Sequence, residues 1–142
     1  MSSSVLIVSV NRDLLKQFHS TLSINSIIGL ELTDGNLLIY SGNSRIYVDV
    51  WQLDFNDEVF KEEIPIYQKL LGLINGEVLY VYHFSYGDTN FCANVMSVIT
   101  DRNDIVVDND IGLILNGPEY FKLLEEYRIN GNSSYNDIKI IQ

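Results

Sequence analysis

A single cysteine, Cys92, leaves this chain no internal disulfide. It is therefore not one of the small secreted scaffolds held together by cross-links, and it suits a reducing cytoplasm. Proline is nearly absent too, with Pro65 and Pro118 the only two. Positive charge is scarce: 9 Lys and Arg stand against 19 Asp and Glu, a formal net charge of −10. Nucleic-acid binders need clustered Lys and Arg to displace counterions from phosphates, so the balance argues against that class. It favours a basic partner, or solubility alone. No apolar run approaches the ~20 residues that a membrane helix needs. The stretch Met1 to Val8 has no basic residue before its short apolar run and does not read as a signal peptide.

What is present is a globular composition. Hydrophobic residues at 46% and aromatics at 11% over 142 residues predict one domain, 1–142, with its own core. Val5–Val10 reads as a strand, and Asn11 as the cap of a helix whose apolar stripe is Leu14, Leu15, Phe18 and Leu22. Three antiparallel strands follow, Ile24–Thr33, Leu37–Ser41 and Arg45–Leu53, joined at Asp34-Gly35-Asn36 and Gly42-Asn43. An acidic connector, 54–63, leads to a helix beginning at Pro65, where a missing N–H costs nothing. That helix is predicted to run through Ile74 to a stop at Gly76, with Ile66, Tyr67, Leu70, Leu71 and Ile74 as its apolar face. Strands are expected over Glu77–Phe84, Phe91–Thr100 and Ile105–Val107. Ile111–Leu115 reads as a strand or buried connector before a helix from Pro118, and Ile138–Ile141 as a possible edge strand.

The predicted fold class is α+β: a mainly antiparallel sheet with three helices, in the order β-α-βββ-α-βββ-α, with a possible last strand. Both prolines open the same pattern, P-x-Y-x-K-L-L, at Pro65–Leu71 and Pro118–Leu124. Ile46-Tyr47-Val48-Asp49 has a partial echo in Ile105-Val106-Val107-Asp108. A βββα pseudo-repeat, 24–75 and 77–128, is the expectation, with the P-x-Y-x-K-L-L helices closing each half by burying against a sheet.

Catalytic chemistry is not visible. Cys92 and His83 are the one nucleophile–base candidate, placed nearly opposite each other if a hairpin turns near Gly87 and Asp88. No glycine-rich elbow or oxyanion signature accompanies them. Asp108, Asp110 and Glu119 fall at positions 1, 3 and 12 of a calcium loop, but the glycine is misplaced and Ile111–Leu115 offers no oxygen side chain. One Cys and two His, far apart, do not make a zinc site. Neither phosphate-binding glycine motif occurs. No cofactor, no metal and no enzymatic activity are expected.

The face of the third strand is more informative. Ile46, Val48 and Val50 alternate with Tyr47, Asp49 and Trp51, so one face belongs in a core and the other mixes charge with large aromatics. That second composition is typical of interface hot spots, unless a helix or loop covers Tyr47 and Trp51. Carboxylates concentrate in two loops: Asp54, Asp57 and Glu58 in one, Asp101, Asp104, Asp108 and Asp110 in the other. If the halves are equivalent, the two clusters form one acidic surface. The partner-binding candidates are therefore Tyr47, Asp49, Trp51, Asp54, Asp57, Glu58, Asp101, Asp104, Asp108 and Asp110.

In size, acidity and lack of catalytic motifs the chain resembles bacterial toxin-immunity proteins, including those of contact-dependent growth inhibition. Ile64-Pro65-Ile66-Tyr67-Gln68-Lys69-Leu70-Leu71 with Asn75-Gly76 resembles the L-P-x-x-Y…L-L…N-G signature of SUKH-type immunity proteins. It departs from that signature in a tyrosine one residue early and in Glu77 after Gly76. The resemblance implies a cytoplasmic inhibitor that neutralises a basic, nuclease-type toxin domain by direct binding, with no membrane or nucleic-acid partner. Two other readings are a small enzyme or ligand-binding domain, and a nucleic-acid module similar to the whirly plan of paired βββα units, which the charge opposes.

Overall fold

The computed structural model of the chain describes residues 3–24, 28–73 and 77–129, the last three by backbone alone. In chain order the elements are β1 (Ser3–Ser9), α1 (Leu14–Leu22), β2 (Gly29–Thr33), β3 (Asn36–Ser41), β4 (Ser44–Gln52), α2 (Ile64–Leu71), β5 (Tyr80–Tyr86), α3 (Thr89–Ile99), β6 (Val106–Asp108), β7 (Ile114–Asn116) and α4 (Gly117–Ile129). The strands form one sheet ordered β2-β3-β4-β5-β1-β6-β7, and every neighbouring pair is antiparallel. The fold class is α+β, as composition and periodicity predict.

Side-chain alternation divides the sheet into two unequal cores. On one face Val5 and Ile7 of β1, Ile39 of β3, Ile46 and Val48 of β4, and Tyr82 and Phe84 of β5 pack beneath α1, α3 and α4. On the other, Leu6 and Val8 of β1 join Val81, Val106 and Leu53 beneath Ile64 and Tyr67 of α2. β1 is buried from both sides, which is why its Val5–Val8 segment is a continuous apolar run instead of an alternating one. Among the described residues, no helix is long and apolar enough to cross a membrane.

Residues 89–99 form a helix, not the strand expected over Phe91–Thr100. The segment's β-branched residues favour a strand, but Cys92, Val95, Met96 and Ile99 recur at helical spacing and bury together. Asp88 starts this helix by accepting the backbone N–H of Phe91 on Oδ1 at 3.1 Å. The molecule therefore has four described helices where three were expected, and its second half runs β5-α3-β6-β7-α4 instead of βββα. The P-x-Y-x-K-L-L helices are α2 and the start of α4. Both bury their tyrosine completely, yet Tyr67 lies in the smaller core and Tyr120 in the larger, on opposite faces of the sheet.

Smaller differences have local causes. α2 stops at Leu71 because Gly72 takes a left-handed conformation, φ 68°, that closes the last turn. The expected stop at Gly76, the helical end at Ile74 and the possible strand Ile138–Ile141 lie outside the described residues. Ile66 is exposed, so the buried stripe of α2 is Ile64 and Tyr67, continued by the half-buried Leu70 and Leu71. The strand expected over Ile24–Thr33 is paired from Gly29 onward, residues 25–27 lying outside the description. Asn11 does not cap α1. Its Oδ1 accepts the N–H of Asp13 at 2.9 Å, while the first helical N–H, that of Leu14, is taken by the Tyr82 hydroxyl at 3.2 Å.

Candidate functional site

The face that carries α2 is only partly covered, because α2 has eight residues and lies against β6 and β7. Over β4 and β5 the sheet is open. The strand register lines up Asp49, His83, Leu6 and Asp108 as direct cross-strand neighbours on β4, β5, β1 and β6. The row above holds Tyr47, Ser85 and Ser4, and the row below holds Trp51, Val81 and Val8. Three polar groups that are far apart in sequence, Asp49, His83 and Asp108, thus share one line across the sheet.

The polar side chains Asp49, His83, Asp108 and Asp110 on this face are each held by a partner. The Nδ1 of His83 is 3.1 Å from Oδ1 of Asp49, and its ring lies 5.7 Å from that of Trp51. The buried Tyr67 hydroxyl donates to Oδ2 of Asp108 at 2.5 Å, and the N–H of Asp110 donates to Oδ1 of the same carboxylate at 2.8 Å. Burial first, and then the bond to Asp108, push the Tyr67 phenol far above its ordinary range, so it stays a donor. Ser4 Oγ donates to Oδ2 of Asp110 at 3.3 Å. Asp110 adopts φ 66°, a left-handed conformation that Asp tolerates, and the loop around it is organised by Asn109, whose Oδ1 accepts the N–H groups of Ile111 and Leu113.

Where the sheet meets the 55–63 segment there is a cavity of about 340 Å³. Trp51, Phe60 and Val59 supply apolar walls. Glu63, Asp108, Asp110 and His83 supply polar ones. The Oε2 of Glu63 is shielded from solvent and has no hydrogen-bond partner among the described residues. Among the described residues, no group of three or more His, Cys, Asp or Glu side chains is placed to hold a metal ion.

The ten predicted partner-binding residues fall into three groups. Tyr47, Asp49, Trp51, Asp108 and Asp110 come together on this face. Among the described residues Tyr47 is 59% exposed, whereas Trp51 is half-buried against the smaller core, so the expected cover reaches Trp51 and leaves Tyr47 open. Asp54, Asp57 and Glu58 stay within their own loop. Asp54 and Asp57 accept the N–H groups of Asn56 and Val59, and Glu58 is 4.0 Å from Lys61. Asp101 and Asp104 lie elsewhere. Arg102 donates to both carboxylate oxygens of Asp104, at 2.8 Å each, and also to Gln17 of α1. That guanidinium draws the Asp104 carboxyl below its usual range.

The single acidic surface expected from the two loops therefore takes a different form. Ser9 at one end of β1 holds Asp104, and Ser4 near the other end holds Asp110. At ~3.3 Å per residue those anchor points are roughly 17 Å apart. The second loop is split between two ends of the sheet, and the carboxylates that converge are Asp49, Asp108, Asp110 and Glu63.

The Cys92–His83 pair does not form. Cys92 sits on α3, fully buried in the larger core, while His83 projects from the opposite face of the sheet. Burial pushes the Cys92 thiol up, the reverse of what a nucleophile needs. Glu63 and Phe60 read from sequence only as an acidic member and an apolar anchor of the 54–63 connector, and Ser4 carries no site signal. The alternation of β5 was a usable signal for His83, since it places that residue on the face of Val81. Nothing local marks Ser4 or Glu63. Comparison of the chain with protein-family models, curated proteins and solved structures finds no match.

Proposed function

We propose that this chain is a stoichiometric inhibitor of the immunity type, which neutralises a basic toxin domain by binding it on the open face of β4 and β5. The observation that carries the reading is the cross-strand row Asp49–His83–Leu6–Asp108 beside the uncovered Tyr47. A half-exposed carboxylate, a large exposed aromatic and a net charge of −10 suit a cationic protein surface. Charge of this kind accelerates encounter, and one or two aromatic anchors then supply most of the binding free energy. A nuclease domain is the favoured partner class, because a phosphate-binding surface is basic. The chain acts by occupancy in a reducing cytoplasm, where Cys92 stays a thiol.

The test is co-expression with the C-terminal toxin domain encoded beside its gene. Growth is expected to be rescued, and the two chains to elute as a 1:1 complex. Tyr47→Ala should raise Kd by about tenfold or more, and Asp49→Asn should slow association and flatten its salt dependence. The reading fails if there is neither rescue nor complex.

A further inference from the structure

We infer that the cavity beside Trp51 takes the guanidinium of one arginine side chain presented by that basic partner, an assignment that rests on the reading above and deepens it. Its volume, about 340 Å³, is at the lower end of the ~300–1,000 Å³ typical of ligand sites, room for a single side chain. Its chemistry is divided. Trp51 and Phe60 offer aromatic faces, and Glu63, Asp108 and Asp110 offer carboxylates.

Two of these carboxylates are already engaged from behind. Asp108 accepts from Tyr67 and from the N–H of Asp110, and Asp110 accepts from Ser4. Glu63 is different. It lines the cavity half-buried, and among the described residues no donor meets its shielded Oε2. A cationic donor that also tolerates an aromatic wall complements this lining. Guanidinium meets both demands, because it is planar, donates in a fork to carboxylates and stacks on indole. His83 lines the cavity and touches Asp49, so an arginine seated there lies beside the Tyr47–Asp49 face and anchors the same partner surface.

Trp51 is the chain's one tryptophan and lines the cavity, so its fluorescence reports occupancy without a label. The full chain would be titrated with N-acetyl-arginine amide and with the neutral N-acetyl-citrulline amide. Saturable perturbation of Trp51 by the arginine compound is expected, at least tenfold tighter than by the citrulline compound. Glu63→Gln and Asp110→Asn should each weaken it at least threefold, while Asp101→Asn, remote from the cavity, should not. A common response to both compounds, or unchanged affinity in both cavity variants, overturns the inference. Should Glu63→Gln unfold, Asp110→Asn decides. If the toxin domain binds with Tyr47→Ala sensitivity but the arginine compound does not bind, the cavity assignment falls and the inhibitor reading stands. If only the arginine compound binds, the guanidinium site stands and the inhibitor reading falls.

Discussion

Tyr82 ties the start of α1 to the middle of the sheet. Its hydroxyl accepts from Leu14 N–H and donates to the carbonyl of Asn11 at 2.5 Å, and its ring meets Phe18 edge-on at 5.9 Å. Tyr82→Phe keeps the ring and strands both backbone groups. It should lower stability by about 1–3 kcal/mol, seen as a drop in the urea midpoint with an unchanged slope. A change below about 0.3 kcal/mol would mean that water replaces the hydroxyl at both groups. Single residues were legible where their face was set by strand alternation. Tyr47, Asp49 and Trp51 stand together as the period-two pattern implies, and the stripe Leu14, Leu15, Phe18, Leu22 is buried throughout. They were illegible where the partner is remote. No local pattern announces that the Asp13 side chain will not cap α1 and that Tyr82 of β5 will supply the hydroxyl instead.

At the level of elements, α3 shows why composition can mislead. Val95, Val98, Ile99 and Thr100 are strand formers, yet tertiary packing on α1 and α4 overrides that preference. The better signals were an Asp at the cap position and apolar residues at helical spacing. A helix in this position breaks the expected βββα repeat and puts Cys92 on the face of the sheet opposite His83. The P-x-Y-x-K-L-L motif was read correctly as helix-forming and apolar, but alternation cannot tell which face of a sheet a helix will cover. α4 begins under tight constraint. A Cβ built on Gly117 would lie 2.2 Å from the carbonyl oxygen of Arg102 and 2.6 Å from that of Thr100. Backbone cannot rotate away as a side chain can, so Gly117→Ala should cost about 1–3 kcal/mol. Thermal unfolding would show it as a clear fall in Tm, and an unshifted Tm would mean that the α3–β6 connection moves freely.

Among the described residues, four tyrosines are buried: Tyr67, Tyr82, Tyr86 and Tyr120. Burial raises the phenol of each, that of Tyr82 to about 12. In the unfolded chain these groups ionise near pH 10. Above that pH the native state holds more protons than the unfolded one, so stability is complete below about pH 10 and falls as pH rises towards and past 12. Absorbance at 295 nm should show the exposed phenols ionising first and the four buried ones only together with the loss of far-UV ellipticity. Smooth ionisation of every tyrosine in a folded chain would contradict the burial. The acidic balance and the fold class were visible in composition and periodicity. The lateral order of strands was not, because pairings such as Val5 with Phe84 and Ile7 with Val107 join distant parts of the chain.

That order has a consequence for biosynthesis. β1 precedes both of its strand partners in the chain and occupies an inner position, flanked by β5 and β6. Its apolar residues can find no strand partner until Tyr80–Tyr86 has been made, and the second partner comes later still. Emergence at ~5–20 residues per second leaves β1 waiting for seconds with an aggregation-prone segment bare. The meander β2-β3-β4 can pair before then, so the late step is the capture of β1 between β5 and β6.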